Sequence, residues 1–203
     1  MDGSRQVEWR SLLVDRGQRA SLKQQEPCLV WLTGFSGAGK STLADALERR
    51  LHSEGRHTYL LDGDNLRHGL NGDLGFTAQD RKENVRRVGE VAALMVDAGL
   101  IVIAAFISPF RSDRDAIRQL LPGRFVEVFV DTPLAVCEQR DPKGLYRKAR
   151  AGLLKDFTGL DSPFEKPLAA ELTFDTTDLS VETAVQQIHD YLRHHRFLQG
   201  PGA

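Results

Sequence analysis

The feature that most constrains this chain is a glycine-rich segment between an apolar run and a helix-like pattern. Residues 34–41 read G-x-x-x-x-G-K-S, the preceding residues 28–33 are largely apolar, and Leu43 and Leu47 begin a helical spacing behind the segment. In such a strand–loop–helix unit, backbone N–H groups of the loop and of the first helical turn converge on a concavity that favours phosphate. The sequence therefore predicts a P-loop that binds a nucleoside triphosphate.

Two side chains of this loop have predicted roles. Lys40 is expected to reach the β- and γ-phosphates, and the Ser41 hydroxyl is expected to bind Mg²⁺. An ordinary glycine turn is the alternative, but it would not require a strand before the loop and a helix behind it.

Composition limits the classes of protein that fit. The chain has 203 residues and 41% hydrophobic composition, enough for one well-buried domain with a lid or tail but not for a second full domain. The net charge of -1 gives no electrostatic reason for nonspecific binding to nucleic acid or to a membrane surface. The first residues show no signal-peptide pattern, and the longest apolar run, 100–107, is too short to span a bilayer. We predict a cytoplasmic protein without a nucleic-acid or membrane partner.

The two cysteines, Cys28 and Cys137, each lie in an apolar segment. This placement predicts reduced core cysteines rather than a disulfide or a metal site. No Cys/His spacing suggests zinc.

Strand-like and helix-like segments alternate from Cys28 onward, and most strand candidates are continuous apolar runs, as strands buried on both faces require. This alternation indicates an α/β fold of the P-loop NTPase type, with three α/β/α layers and a five-stranded parallel sheet. Ligands of such sheets bind beyond the C-terminal ends of the strands. The strand candidates are residues 28–33, 58–61, 100–107, 125–130 and, as the weakest, 171–174.

The predicted helices have recognisable ends. Residues 77–80 form a capping box at the start of a helix that Gly99 ends, and Ser180 precedes the last helix. Thr132 and Pro133 fit the N-cap and the first position of another helix.

An acidic cluster, Asp-Gly-Asp-Asn at 62–65, directly follows the second strand candidate. Beside a triphosphate, Asp62 and Asp64 would hold Mg²⁺ through water or accept the proton of an attacking hydroxyl. A plain turn is the alternative, since Asp-Gly and Asp-Asn are common turn residues. Asp131, after the fourth strand, competes for the magnesium role but ranks below Asp64 because it fits a capping region equally well.

Further polar candidates follow this cluster. Arg81 and Asn84 lie one above the other near the buried edge of a helix, where they would project toward a pocket; a merely solvated face is the alternative. Phe76 is a candidate stacking face for a purine, or a core residue. Ser108 follows the third strand but shows no base partner of the kind that nucleophilic catalysis needs.

The segment 143–155 contains basic residues and no acidic one. A lid that closes over phosphates needs such charge, because closure excludes water and brings positive charge to the transferring phosphoryl group. An exposed basic loop is the alternative. The basic residues are Lys143, Arg147, Lys148, Arg150 and Lys155.

With these clusters in order, the chain resembles the adenylylsulfate kinases, small P-loop kinases that phosphorylate the 3′-hydroxyl of adenosine 5′-phosphosulfate (adenylyl sulfate). The resemblance covers about residues 28–195, and its motifs together are far more specific than the P-loop alone. No sulfurylase-like domain is attached, so we expect the stand-alone bacterial type. The motifs are residues 34–42, 62–65, 74–76, 80–84, 106–109, 130–134, 143–146 and 157–159.

This resemblance implies a reaction. ATP would donate its γ-phosphate to adenylyl sulfate in the presence of Mg²⁺, giving 3′-phosphoadenylyl sulfate for sulfate assimilation, and a homodimer is expected. Asp64 would act near Mg²⁺ and the accepting hydroxyl, with Asp62 in support and Lys40 at the phosphates. The family has a phosphoserine assigned at the position of Ser108, which is therefore a catalytic candidate, although we favour direct in-line transfer.

The resemblance also implies two sets of binding residues. Arg140 lies where the family contacts the ATP base, and Phe76 and Phe157 would sandwich the adenine of adenylyl sulfate. The ATP-binding set is Gly34, Phe35, Ser36, Gly37, Ala38, Gly39, Lys40, Ser41, Thr42 and Arg140; the substrate-binding set is Asp64, Arg67, Phe76, Arg81, Asn84, Ile107, Ser108, Lys143, Gly144, Leu145 and Phe157.

We expect an N-terminal arm at 1–26, a P-loop kinase domain at 27–196 with a mobile lid at about 141–167, and a C-terminal tail at 197–203. The arm is polar and aperiodic apart from Trp9 and the apolar residues 12–14. Two other functions stay open: a P-loop kinase for a nucleoside, nucleotide or sugar acid, and a non-catalytic nucleotide-binding regulator. The intact Lys40, Ser41 and Asp64 give no support for catalytic decay.

Overall fold

The computed structural model describes Arg10 and residues 12–200. Its centre is a sheet of five parallel strands in the order β2-β3-β1-β4-β5, so the predicted five-stranded parallel sheet is confirmed. Because β1, β3 and β4 lie inside the sheet with helices on both faces, all their residues are buried, which explains their continuous apolar runs. The strands are β1 Leu29–Thr33, β2 Thr58–Asp62, β3 Ile101–Ala105, β4 Phe125–Val130 and β5 Leu172–Phe174.

Helices cover both faces of this sheet and give the predicted three layers. Alternate residues of β1 point to opposite faces: Val30 and Leu32 pack with α2 and α8, whereas Leu29 and Trp31 pack with α4 and α5. The helices are α1 Arg16–Lys23, α2 Lys40–Ser53, α3 Gly63–Leu66, α4 Ala78–Asp97, α5 Arg111–Leu120, α6 Leu134–Arg140, α7 Leu145–Arg150 and α8 Val181–His194.

Two predicted helix starts are confirmed and one is wrong. Thr77 begins α4 with the expected capping box, and Ser180 caps α8. In contrast, Thr132 does not cap α6, which begins at Leu134 with Pro133 as its N-cap. The hydroxyl of Thr132 instead bonds the Ala38 carbonyl at 3.3 Å, so it connects the end of β4 to the P-loop.

The described part of the N-terminal arm contains a helix, α1, that the sequence did not predict. Asp15 forms a capping box with Gln18 at the start of this helix, and Arg19 pairs with Asp97 of α4 at 2.6 Å. The buried Gln25 then donates to the Gly99 carbonyl at 2.9 Å. Trp9 and most of the remaining arm lie outside the described residues.

The predicted end of the kinase domain at 196 comes too early. Phe197 and Leu198 are buried in the core beside α8, and the Phe197 carbonyl accepts a hydrogen bond from the Glu26 amide at 3.1 Å. The described ends of the chain therefore pack on each other and on the sheet. Residues 201–203 of the predicted tail lie outside the described part.

Cys28 and Cys137 are buried and free, which confirms the prediction of reduced core cysteines. None of the helices in the described part of the chain combines the length and apolar character that crossing a bilayer requires.

Candidate active site

A cavity of about 1050 Å³ opens at the C-terminal edge of the sheet, where α/β folds bind ligands. The P-loop forms one wall, the ends of β2 and β3 form the floor, and α4 and the segment 140–158 close the other sides. The predicted site residues that line it are Ser36, Gly37, Gly39, Lys40, Ser41, Thr42, Asp62, Asp64, Arg67, Phe76, Arg81, Asn84, Ile107, Ser108, Arg140, Lys143, Leu145 and Phe157.

Four predicted site residues do not line this cavity. Gly34, Phe35 and Ala38 belong to the loop but turn away from its open side, and Phe35 packs on Phe164 with ring centroids 5.0 Å apart. Gly144 lines a neighbouring groove with Lys143; both belong to the segment 141–167, predicted to be a lid and called the lid below. If these residues bind a ligand in this cavity, they would therefore do so through their own backbone atoms rather than through side chains.

The P-loop leaves no room for a side chain at Gly37. Gly37 has φ +76, and a Cβ placed on it would lie 2.9 Å from the Cys137 carbonyl oxygen. Glycine is required on both counts, because L-residues rarely adopt this conformation and a backbone carbonyl cannot move aside as a flexible side chain can. Tyr146 of α7 donates from its hydroxyl to the Ser36 carbonyl at 3.0 Å, so the lid contacts the loop directly.

Lys40 is held inside this loop. Its Nζ donates to the carbonyls of Gly34 at 3.0 Å and Phe35 at 2.6 Å, and its side chain is almost fully buried. Burial disfavours the ammonium form and lowers the pKa of Lys40 to about 8, with the nearby Lys143 as a further cause of lowering. Whether the Lys40 amine is charged at mildly alkaline pH therefore depends on whether an anion is bound beside it.

This pKa predicts proton uptake when ATP binds. Phosphates beside Lys40 favour the ammonium form, so at pH 9 binding should take up about one proton per site, while at pH 7 the amine is already charged and Lys40 should take up almost none. Calorimetric titration in buffers of different ionisation enthalpy measures this number. Lys40→Arg is the matched control, because a guanidinium stays charged at both pH values. Equal uptake at pH 9 by both proteins would contradict the prediction.

The acidic cluster lies opposite Lys40. Asp62 ends β2 and caps α3 by accepting from the Asp64 amide at 3.0 Å, while its other oxygen accepts from the Ser41 hydroxyl at 3.1 Å. This double contact fixes α3 so that Asp64, which is exposed, lines the cavity, where it forms an ion pair with Lys143 of the lid. The rival Asp131 lies outside the cavity lining and pairs with Lys166 at 2.7 Å.

These oxygens fit Mg²⁺. A serine hydroxyl and aspartate carboxylates are hard ligands, and magnesium sites beside phosphates usually combine one or two carboxylates with water. Across the described residues there is no group of three or more His, Cys, Asp or Glu side chains placed to hold a metal. A site completed by substrate phosphates agrees with both observations.

The far side of the cavity is basic and aromatic. The Arg67 guanidinium lies 4.2 Å from the centroid of the Phe76 ring, and its Nη1 donates to the Leu74 carbonyl at 3.0 Å. Arg81 donates to Thr158 at 3.1 Å and to the Asp156 carbonyl at 2.6 Å, so it ties α4 to the lid. Two cations and a half-exposed ring therefore lie on one wall.

Contacts with neighbouring residues hold one aromatic and one basic side chain of the cavity, Phe157 and Arg140. Phe157 is buried and packs edge-on against Tyr146 at 4.9 Å. Arg140 donates to the hydroxyl of Thr176 at 2.9 Å and to its carbonyl at 2.6 Å, at the mouth of the P-loop.

Ser108 is unlike an exposed nucleophile. Its hydroxyl is buried, accepts from the Trp31 indole at 3.0 Å and donates to the Thr33 hydroxyl at 2.9 Å, and neither partner is a base. Its φ of +40 lies in the left-handed region, which costs free energy for a residue with a side chain. The surrounding contacts must therefore impose this backbone turn.

The sequence reasoning missed one residue that imposes this turn. Arg114 of α5 is buried and donates to the Ser108 carbonyl at 2.6 Å, to Glu127 of β4 at 2.7 Å and to the Glu165 carbonyl at 2.7 Å. Its partners are 6, 13 and 51 positions away, so no spacing along the chain indicates them.

It missed Asn71 as well. This fully buried residue donates from Nδ2 to Asn84 Oδ1 at 3.0 Å. The only signal was the Asn-Gly pair at 71–72, which indicates a turn rather than a buried amide.

The family model for adenylylsulphate kinase matches residues 26–175, which include nearly every element around the cavity. The chain belongs to the adenylylsulphate kinase family. Within this family, the adenylyl-sulfate kinase of Shewanella sp. (strain W3-18-1) is 63% identical over 187 residues, which are 92% of this chain and 91% of that protein.

Solved structures of adenylylsulphate kinases agree with this assignment. The Mycobacterium tuberculosis APS kinase CysC in complex with AMPPNP and APS superimposes with a TM-score of 0.80 at 48% identity, covering 83% of this chain and 99% of that one. A hexameric APS kinase from Thiobacillus denitrificans has a TM-score of 0.66 at 36% identity, covering 87% of this chain and 31% of that one.

Proposed function

We propose that this protein is an adenylyl-sulfate kinase that transfers the γ-phosphate of ATP to the 3′-hydroxyl of adenylyl sulfate, giving ADP and 3′-phosphoadenylyl sulfate in sulfate assimilation. The observation that carries the proposal is that the P-loop, Asp64, Arg67, Arg81 and Phe76 line one shared cavity. One side of this cavity suits a triphosphate, and the other suits an adenine nucleotide with an anionic tail.

ATP occupies the P-loop side. Backbone N–H groups of residues 34–42 surround the phosphates, and the Lys40 ammonium compensates their charge. Arg140 lies at the ATP base, held by Thr176. When bound, Mg²⁺ neutralises charge on the β- and γ-phosphate oxygens. Ser41 and Asp64 would hold this ion, and Asp62 fixes their relative positions through its bonds to the Ser41 hydroxyl and the Asp64 amide.

Adenylyl sulfate occupies the opposite side. Phe76 and Phe157 enclose its adenine, and Arg67 and Arg81 bind its phosphate and sulfate groups, an arrangement suited to bidentate recognition of anions. Asn84 contributes an amide from α4. The remaining contacts come from Ile107 and Ser108 at the end of β3 and from Lys143, Gly144 and Leu145 of the lid.

Transfer is direct and in line. The substrate 3′-oxygen forms a bond to the γ-phosphorus as the bond to the bridging oxygen of ADP breaks, and Asp64 accepts the proton of the hydroxyl. Lys143, which pairs with Asp64, comes to the transferring group with the lid. The buried hydroxyl of Ser108, bonded by Trp31 and Thr33, supports a positioning contact rather than a phosphoserine relay.

The protein acts as a homodimer in the cytoplasm. Support for the assembly comes from the family resemblance and from the oligomeric relative of Thiobacillus denitrificans. Light scattering on the purified protein tests the dimer directly, and a monomeric mass at working concentration would contradict it.

The first experiment measures ADP release from ATP and Mg²⁺ with adenylyl sulfate, AMP, adenosine and gluconate as acceptors. We expect release with adenylyl sulfate alone and a 3′-phosphorylated product. Preference for another acceptor would identify a different small-molecule kinase, and binding without turnover would identify a regulator.

A further inference from the structure

We propose that Asn71 is a positioning residue that determines which end of the Asn84 side-chain amide faces the substrate. This inference rests on the function proposed above, because Asn84 is assigned there to the adenylyl sulfate side of the cavity. Asn71 itself is fully buried, whereas Asn84 is 8% exposed and lines the cavity. Asn71 therefore acts through Asn84 and not by contact with the substrate.

The hydrogen bond between the two side chains has a direction. Asn71 Nδ2 donates to Asn84 Oδ1 at 3.0 Å, which engages the oxygen end of the Asn84 amide. The NH₂ end of Asn84, with two donors, is then left for the cavity. Phosphate and sulfate oxygens only accept hydrogen bonds, so a donor suits adenylyl sulfate and a carbonyl in its place would repel it.

Hydrogen bonds hold Asn71 and the residues beside it in place. Its amide donates to the Leu66 carbonyl at 2.9 Å, which continues the turn after α3. Arg87, one helical turn beyond Asn84 on α4, donates to the Leu70 carbonyl at 3.0 Å and to Asp73 at 2.6 Å. The residues on both sides of Asn71 are thus attached to the helix that carries Asn84.

The same segment also holds Arg67. The carbonyls of Leu74 and Gly75 accept from Arg67 Nη1 at 3.0 and 3.2 Å. The buried Oδ1 of Asn71 has no hydrogen-bond partner, so Asn71 contributes only a donor through this side chain. This donor is the only group that orienting the Asn84 amide requires.

Asn71→Asp tests the direction of the bond. Once ionised, a carboxylate at position 71 only accepts, so Asn84 must turn its NH₂ end toward position 71 and its carbonyl toward the substrate. Because burial favours the neutral acid, whose O–H still donates, KM is measured across a range of alkaline pH in which the introduced carboxyl ionises. We expect KM for adenylyl sulfate to rise about 10- to 100-fold, as for loss of a hydrogen bond to a charged group, while KM for ATP changes less than about twofold. Asn71→Leu removes the bond without inverting Asn84 and should give a smaller rise.

Asp73→Asn is the matched control in the same segment. It weakens the attachment to Arg87 but leaves the bond between Asn71 and Asn84, so both KM values should stay near those of the wild type. Thermal melting of each variant checks that it is folded, and Asn71→Leu carries the test if the aspartate variant does not fold.

A double-mutant cycle with Asn84→Ala completes the test. If Asn71 acts through Asn84, Asn71→Asp should change KM for adenylyl sulfate little further in the Asn84→Ala background. Three results would overturn the inference: an unchanged KM in Asn71→Asp, an equal rise in KM in both backgrounds, or an unchanged KM in Asn84→Ala. In each case wild-type turnover with adenylyl sulfate would still support the proposed function. Absence of wild-type turnover with adenylyl sulfate would instead overturn the proposed function, and the inference with it.

Discussion

Asp64→Ala is expected to lower turnover by about three orders of magnitude while ATP still binds, the range observed when a group that accepts a proton in the transition state is removed. Asp64 faces the cavity at the start of α3, and its position is set by Asp62 rather than by its own contacts with the P-loop. The alanine variant therefore keeps the phosphate loop and Lys40 intact. Steady-state ADP release gives kcat, and calorimetry gives the affinity for ATP.

Asp131→Asn is the control for this experiment. Asp131 also follows a strand of the sheet, but its carboxylate pairs with Lys166 outside the cavity lining. We expect its kcat to stay within about threefold of the wild type, since exposed ion pairs contribute little free energy. Near-normal turnover of Asp64→Ala would remove the role assigned to Asp64, and a large loss in Asp131→Asn would transfer that role to the rival aspartate.

Arg114→Met is expected to reduce the free energy of unfolding by about 3–5 kcal/mol, the cost of removing one partner from a buried ion pair. The Arg114 side chain is 2% exposed, and its loss leaves Glu127 buried without its closest cation. The carbonyls of Ser108 and Glu165 lose a donor at the same time. Urea denaturation followed by circular dichroism measures the change.

Two further variants are the controls for this measurement. Arg111→Met, on the same helix, removes a side chain that is 42% exposed and whose Nε lies 3.7 Å from Glu165, and it should cost less than about 1 kcal/mol. Arg114→Met with Glu127→Met removes both charges and should recover part of the loss, because well-packed apolar residues often replace a buried pair at little cost. A loss below about 1 kcal/mol in the single variant would contradict the stabilising role assigned to Arg114.

The sequence was most informative where structure follows from neighbouring residues. The P-loop pattern, the capping box at Thr77 and the apolar run of β3 each depend on contacts within a few positions, and the structure confirms all three. Thr132 failed as a cap because its hydroxyl bonds Ala38 and Thr176, residues that only the folded sheet brings near. The helix-capping preference of Thr132 and its sequence neighbours carries no information about those distant partners.

The sequence by itself determined the α/β class and the order of its motifs, and together with the family resemblance it gave just over half of the residues that line the cavity. Only the tertiary structure decided how those side chains are held. Arg114 and Asn71 bond residues that are up to 51 and 13 positions away, α1 is attached to α4 through Arg19 and Asp97, and Phe197 bonds Glu26 near the other end of the chain. Hydrogen bonds of buried polar groups depend on which segments fold together, and a linear pattern of residues does not contain that pairing.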